Sequence, residues 1–276
     1  MEPATQSSQS DAAPPVVLYE RMGPLFRPLP AVRGPWLPGT QNGAAVAALT
    51  TSLLESTPTR VPMIPMSLHV EFLQPVPMKE FTVDIRVVRD GQRLQILQAR
   101  LRSGDTDALL ATLTRLRSSG EAEAPLHPPA SAPAAAPAPE TLQRYRSASP
   151  YFDFVDCRIA SGGFNEQGPG RAWMRMTGQF IAGAAPTPLA CATLMADAAS
   201  GLSSIVPRAD WSYPNVSLSL HLHRSPRGPW LMLDSRTFAE GGGVAQTVST
   251  LGDQAGPFGR AQQALILERR TQSPST

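Results

Sequence analysis

The run LACATLMADAASGLSSIV, residues 189–206, decides how this chain is read. Asp197 is the only charge between Arg175 and Arg208. Small and apolar residues fill the rest, so the spacing predicts one buried helix over 187–206, with Thr187 as its cap and Pro188 in its first turn. A carboxylate on such a helix is costly unless it has hydrogen-bond partners or a task. Thr193, Leu194, Ser200 and Gly201 lie one turn away, and the small ones leave room for an approaching group. An aspartate that only bonds a nearby turn, or caps a shorter helix, is the plainer alternative. The run predicts a cavity built around Asp197.

Working outward, a second charge-free helix is expected at GAAVAALTTSLL, residues 43–54, ending before Glu55. Strands are expected at 16–26 and 66–76, as a hairpin over 81–102 about the turn dipeptide Asp90-Gly91, and at 108–117. A Pro/Ala linker without the means to pack, residues 118–140, follows. Beyond it, strands are expected at 151–159 and 172–176, then the 187–206 helix. Four more follow at 216–224, 230–239, 244–252 and 260–269. This order repeats. Ser67-Leu68 returns as Ser217-Leu218, an offset of 150, the Gly91 turn returns near Gly242, and Leu116-Arg117 returns near Leu267-Glu268. A tandem duplication accounts for it, with repeats at 16–117 and 141–270, a disordered segment at 1–15 and a tail at 271–276. The fold class is α+β. Each repeat is an antiparallel sheet wrapped around a long central helix, which is the hotdog fold, and two copies joined edge to edge make a double hotdog.

The duplication permits a comparison inside the chain. At the same offset Asp197 falls on Ala47 and Gln263 on Leu113. Gln263 shares a strand face with Leu265 and Leu267, the side expected to meet the core. Polar groups at two inward positions of one repeat alone predict a single site per chain. A polar pair that satisfies itself across the helix–sheet contact is the simpler alternative.

The remaining signals mostly exclude. The chain has 276 residues and a formal charge of +2, with Lys79 its lone lysine, so its basicity is an arginine bias without a basic cluster and gives no reason to expect nucleic acid. Cys157 and Cys191 have no metal-ligand spacing and suggest a reducing, cytoplasmic setting. No signal peptide is expected from the N-terminal sequence. The uncharged run 176–196 is broken by Gly178, Gln179, Gly183, Pro186 and Pro188, so it reads as strand, turn and helix and not as a membrane span. No GxSxG elbow or phosphate loop occurs, and Gly241-Gly242-Gly243 reads as a strand turn. His221 and His223 lack a third ligand, so no metal is expected. Tyr151, Phe152, Phe154, Trp173, Trp211 and Trp230 are expected in the core and interfaces.

QNGAAVAALT (41–50), SLHVEFLQPVP (67–77) and RVVRDGQRLQILQARL (86–101) resemble the first half of the double-hotdog acyl-CoA thioesterase II family. LMADAASG (194–201), SLSLHLHRSPRGPWLML (217–233) and GRAQQALILER (259–269) resemble its second half. The resemblance covers roughly residues 16–270. It implies a fatty or related acyl-CoA as substrate, no cofactor, and hydrolysis by a water held by three residues. These are an aspartate on the second helix, a Thr or Ser early in the next strand and a glutamine in the last strand. The matching positions are Asp197 and Gln263, or Gln262 if the register slips by one. Counted back from His223-Arg224, the Thr/Ser position holds Asn215, a departure, with Ser217 the substitute if the alignment slides. Burial should raise the Asp197 pKa and make it a better base. Amides at the helix start near Pro188 to Cys191 are candidates for steadying an oxyanion. Arg86, Arg89, Arg93, Arg100 and Arg102 either contact coenzyme A phosphates or form a solvated sheet face. Homo-oligomers through the sheets fit the family pattern. Two alternatives stay open: an acyl-binding protein without hydrolysis, and a hydratase or dehydratase, which needs an inward histidine that His69, His127, His221 and His223 do not offer on a helix.

Overall fold

The structure, a computed structural model, describes residues 14–118 and 137–270. The expectations for most of the N-terminal segment, the central part of the linker and the tail therefore lie outside the described residues. The first half runs β1 (Val17–Met22), β2 (Leu25–Pro28), α1 (Gly43–Glu55), β3 (Met63–Phe72), β4 (Phe81–Asp90), β5 (Leu94–Ser103) and β6 (Thr106–Arg117). The second runs β7 (Val155–Ser161), β8 (Gly170–Met176), β9 (Gln179–Ile181), α2 (Pro188–Asp197), α3 (Ala199–Leu202), β10 (Trp211–Ser212), β11 (Asn215–Leu222), β12 (Leu231–Phe238), β13 (Val244–Asp253), β14 (Gly256–Ile266) and β15 (Glu268–Arg269).

Thirteen strands form one sheet in the order β7-β8-β12-β13-β14-β11-β3-β6-β5-β4-β2-β1-β9. The order is a mirror about the β11–β3 seam, and the register makes the internal repeat exact in the strands. His69 stands opposite Ser219, its own counterpart at an offset of 150. Leu68 pairs with Leu113 as Leu218 pairs with Gln263, and Leu97 pairs with Leu113 as Thr247 pairs with Gln263. Even the bulge repeats, at Pro65/Ser67 and at Asn215/Ser217. Period-two alternation sends Leu218, Leu220 and Leu222 inward, and the helices they face are buried.

β9 breaks the symmetry. It belongs to the second half but pairs in parallel with β1, at the far edge of the first half's sheet. Only Thr177 and Gly178 separate β8 from β9, although the two stand near opposite ends of the sheet, so the sheet curls back on itself. Gly178 permits this approach. A Cβ there would lie 2.6 Å from the Val16 carbonyl oxygen and 2.8 Å from the Phe154 Cβ.

Several local expectations change. Residues 16–26 hold a hairpin, β1–β2, turned at Gly23 with φ of 62°. The segment before β7 is a 3-10 turn, Pro150–Asp153, not strand. The end of the linker packs: Pro139 is buried and the Trp173 indole donates to the Pro137 carbonyl at 2.8 Å. Thr187 does not cap α2 with its side chain but donates to the Glu55 carboxylate, which also accepts from the Ala190 amide at 3.1 Å.

The largest correction concerns the second helix. It is not one long element: α2 stops at Asp197 and α3 starts at Ala199. The physical cause is Gln263. Its Nε2 donates to the Asp197 carbonyl at 3.0 Å and its Oε1 accepts from the Ser200 amide at 3.1 Å. A side-chain amide inserted into the helical ladder takes both backbone groups out of it and interrupts the helix. The helix starts are also offset by 145 residues, from Asn42 to Thr187, so counted from the caps Asp197 stands over Ser52 and not Ala47.

Candidate active site

The broken helix end presents Asp197 to a cavity of about 410 Å³ between the two halves. Gly43, Phe72, Tyr151, Tyr213 and Asn215 line it with Asp197. Two side chains from separate strands fix the carboxylate and its backbone. Gln263 of β14, only 2% exposed, holds the backbone on either side of the break. Asn215 of β11 donates from Nδ2 to Asp197 Oδ1 at 2.7 Å. The bulge after Asn215 re-aims that side chain, since Asn215 pairs with buried Leu265 whereas Ser217 pairs with exposed Ala264. Beneath the break lies a ladder of buried hydroxyls. Ser203 meets Thr237 at 2.9 Å, Thr237 meets Thr247 at 2.8 Å, and Ser235 meets Ser249 at 2.8 Å.

Facing Asp197 is the start of α1, an element of the other half. A Cβ on Gly43 would lie 3.3 Å from the Phe72 ring and 3.8 Å from Asp197 Oδ2. Asn42 caps this helix by accepting from the Ala44 amide at 2.9 Å. Among the described residues the Gly43 amide has no acceptor. Unfilled amides at a helix start favour negative charge.

Burial pushes the Asp197 carboxyl from 3.8 up to about 6, and the Asn215 hydrogen bond opposes part of that rise. The residue keeps some accessible surface on the cavity side, so it is reachable as well as desolvated. Burial pushes both cysteine thiols up to about 12, which disfavours the thiolate, and neither lines the cavity.

The structure brings Asp197, Asn215 and Gln263 together. The two substitutes fall elsewhere: Gln262 is exposed and Ser217 shares the outer face with Ala264. The amides near Pro188 to Cys191 lie at the opposite end of α2, where the Ala190 amide donates to Glu55 and the Cys191 amide to the Thr187 carbonyl. Among the described residues no histidine lines the cavity: His69 and His221 meet edge-to-face on the outer face at 5.1 Å, and His223 Nε2 lies 3.0 Å from the Pro257 carbonyl. Among the described residues no His/Cys/Asp/Glu group has the makings of a metal site. Arg86, Arg89, Arg93, Arg100 and Arg102 are outside the lining, and Arg100 and Arg102 pair with Asp107. Tyr151 and Phe152 are buried as expected but also form cavity wall. Gly43, Phe72 and Glu55 were missed. Only the QNG start of the first helix carried a signal for any of them, as a cap followed by a small residue.

Residues 32–116 match the model of the acyl-CoA thioesterase N-terminal domain, and residues 127–267 match that of the acyl-CoA thioesterase C-terminal domain. No curated protein sequence was found to match the chain. Among solved structures it is similar to a conserved hotdog-fold protein of unknown function from Alicyclobacillus acidocaldarius. That pair shares 16% identity over 92% of this chain and 96% of the other, with a TM-score of 0.73. It is also similar to the TesB protein of Mycobacterium avium subspecies paratuberculosis, at 17% identity over 91% and 96% of the two chains and a TM-score of 0.64. The acyl-CoA thioesterase II TesB2 of Mycobacterium marinum matches at 15% identity over 92% and 96%, also with a TM-score of 0.64. At such identities the likeness establishes the hotdog fold alone.

Proposed function

This chain belongs to the acyl-CoA thioesterase family, and from that premise we propose that it hydrolyses an acyl-CoA to a free acid and coenzyme A, with Asp197 as general base. The observation that carries the reading is a carboxylate raised to about 6, held by Asn215 in the wall of a cavity and faced by the start of α1. A base poised near neutral pH suits proton removal from water. The water adds to the thioester carbonyl while Asp197 takes its proton. The carbonyl oxygen becomes an oxyanion, and the Gly43 amide is the donor placed to meet it. Collapse breaks the carbon–sulfur bond, and the proton passes from Asp197 to the departing thiolate. Asn215 holds the carboxylate in aim from the position where the family pattern has a Thr or Ser that helps hold the water. Both ends of the Gln263 amide are engaged by backbone, so Gln263 acts as a positioning residue that sets the helix break, and each end keeps a second donor or acceptor position for the water of the family pattern.

Asn215, an amide where the family pattern has a hydroxyl, favours one second reading, an acyl-CoA-binding protein without turnover. A screen of acyl-CoA thioesters with a thiol reagent separates the two. Thiol release by the parent and its loss in Asp197→Asn support hydrolysis, whereas binding without release supports the alternative. The sequence expectation of a cytoplasmic protein stays a proposal. Among the described residues no helix is long and apolar enough to cross a membrane.

A further inference from the structure

The cavity is walled by aromatic rings in two groups. Trp36 and Tyr213 meet edge-on near the mouth, with centroids 4.7 Å apart. The exposed Leu37 and Leu73 mark the same rim. The inner end is closed by Tyr151, Phe152 and Phe164, all buried. Phe152 packs on Phe164 at 5.2 Å and on Tyr151 at 5.2 Å. Tyr145 stands behind them, 5.0 Å from Phe152 and 5.3 Å from Phe164. The Tyr151 hydroxyl donates to the Leu194 carbonyl at 3.1 Å, which locks that ring in place. A Cβ on Gly201 would sit 3.4 Å from Phe164, so this ring stands within about a methyl group of the helix backbone. Asp197 lies one helical turn from Gly201, which adjoins Phe164 of this wall, and faces Gly43 and Phe72, next to Leu73 of the rim. A thioester with its carbonyl at Asp197 therefore sends its acyl group toward the inner rings and its coenzyme arm toward the mouth.

Resting on the thioesterase reading, we propose that the acyl group is compact and ring-bearing, an arylacyl or cycloalkyl-acyl thioester, and not a long unbranched chain. A long chain needs a tunnel, and here the end wall is doubled. The volume of about 410 Å³ is toward the low end of the roughly 300–1,000 Å³ usual for ligand sites, and it must also admit the thioester itself. Rigid ring walls offer an aryl guest edge-to-face and offset contacts, and a compact cycloalkyl guest apolar contact at a lower ordering cost than a flexible chain pays.

The test compares phenylacetyl-CoA, cyclohexanecarbonyl-CoA, octanoyl-CoA and palmitoyl-CoA. Hydrolysis is measured with the parent, and calorimetric binding with both the parent and Asp197→Asn. The expected result is a preference for the ring-bearing pair of at least about tenfold over palmitoyl-CoA in kcat/KM and in affinity. Phe164→Ala should erode that preference in favour of octanoyl-CoA, and Phe152→Leu, which keeps most of the bulk, should do so more weakly. Melting curves check that both variants fold. Equal or better hydrolysis and binding of palmitoyl-CoA by the parent overturns the proposal. If the parent releases no thiol from any substrate yet binds the ring-bearing pair more tightly, the hydrolysis reading fails and the cavity assignment stands.

Discussion

Asp197 carries opposite consequences for activity and stability. Its carboxyl is raised to about 6, so the ionised base accumulates as pH rises and kcat/KM should climb through a midpoint near that value. The folded protein holds this proton more tightly than the unfolded chain. Stability from this group is therefore intact below about 3.8, falls as pH rises toward 6 and stays reduced above, by at most about 3 kcal/mol. Asp197→Asn should abolish turnover and yet melt higher than the parent at pH 8, with the gap closing on acidification. A lower melting temperature at pH 8 contradicts this. Asn215 donates to the carboxylate and lowers its pKa, so Asn215→Ala should move the midpoint to higher pH. Asn215→Thr restores a donor and should keep the midpoint near the parent's. A midpoint unmoved in Asn215→Ala would detach Asn215 from the base. The lone charge in an apolar run made Asp197 legible in the sequence. The facing Gly43 was not, because it comes from an element more than a hundred residues away, and a glycine at a helix start has no chemistry of its own to notice.

The second helix is interrupted where a polar sheet face meets it. Leu97, Ala99 and Leu113 in the first half stand at the strand positions of Thr247, Ser249 and Gln263 in the second. The polar set explains the single site, and it also explains why apolar periodicity overran the helix. Nothing within 189–206 signals the break, which comes from an amide in a strand some sixty residues later. In Gln263→Ala the ladder can heal, with Asp197 and Ser200 returning to ordinary helical bonds. The carboxylate then turns off its aim, and a misplacement near 1 Å costs about a hundredfold in rate. We expect that loss in kcat/KM with little change in melting temperature. Parent-like activity would remove the break from the mechanism. At the other end of α2, Glu55 accepts from the Ala190 amide, one of those that the sequence offered as oxyanion donors, so Glu55→Ala should destabilise the fold by about 1 kcal/mol. Calorimetry checks this, and activity should be nearly unchanged.

At the scale of the molecule the duplication was legible because strand spacing survived: the offset of 150 holds residue for residue across the central seam. The parallel pairing of β9 with β1 was not, since three residues between a glycine and a turn give no period to read. That small strand gives the halves a second sheet pairing, β1–β9, far from the β3–β11 seam, which is itself backed by the packing of α1 on α2. Expressed as two polypeptides, 14–118 and 137–270, they should assemble into an active heterodimer, because one supplies Gly43 and Phe72 and the other Asp197, Asn215 and Gln263. Dilution tests this: fragments that never pair, or that pair without activity while the intact chain is active, refute it. For a nicked molecule the doubled contact changes the kinetics of coming apart. A fragment that lets go at one contact is still tethered at the other, where its effective concentration favours rebinding over escape. Separation then requires two coincident releases, and a cleaved chain should outlast its cleavage, circulating as a working pair long after its covalent continuity is gone.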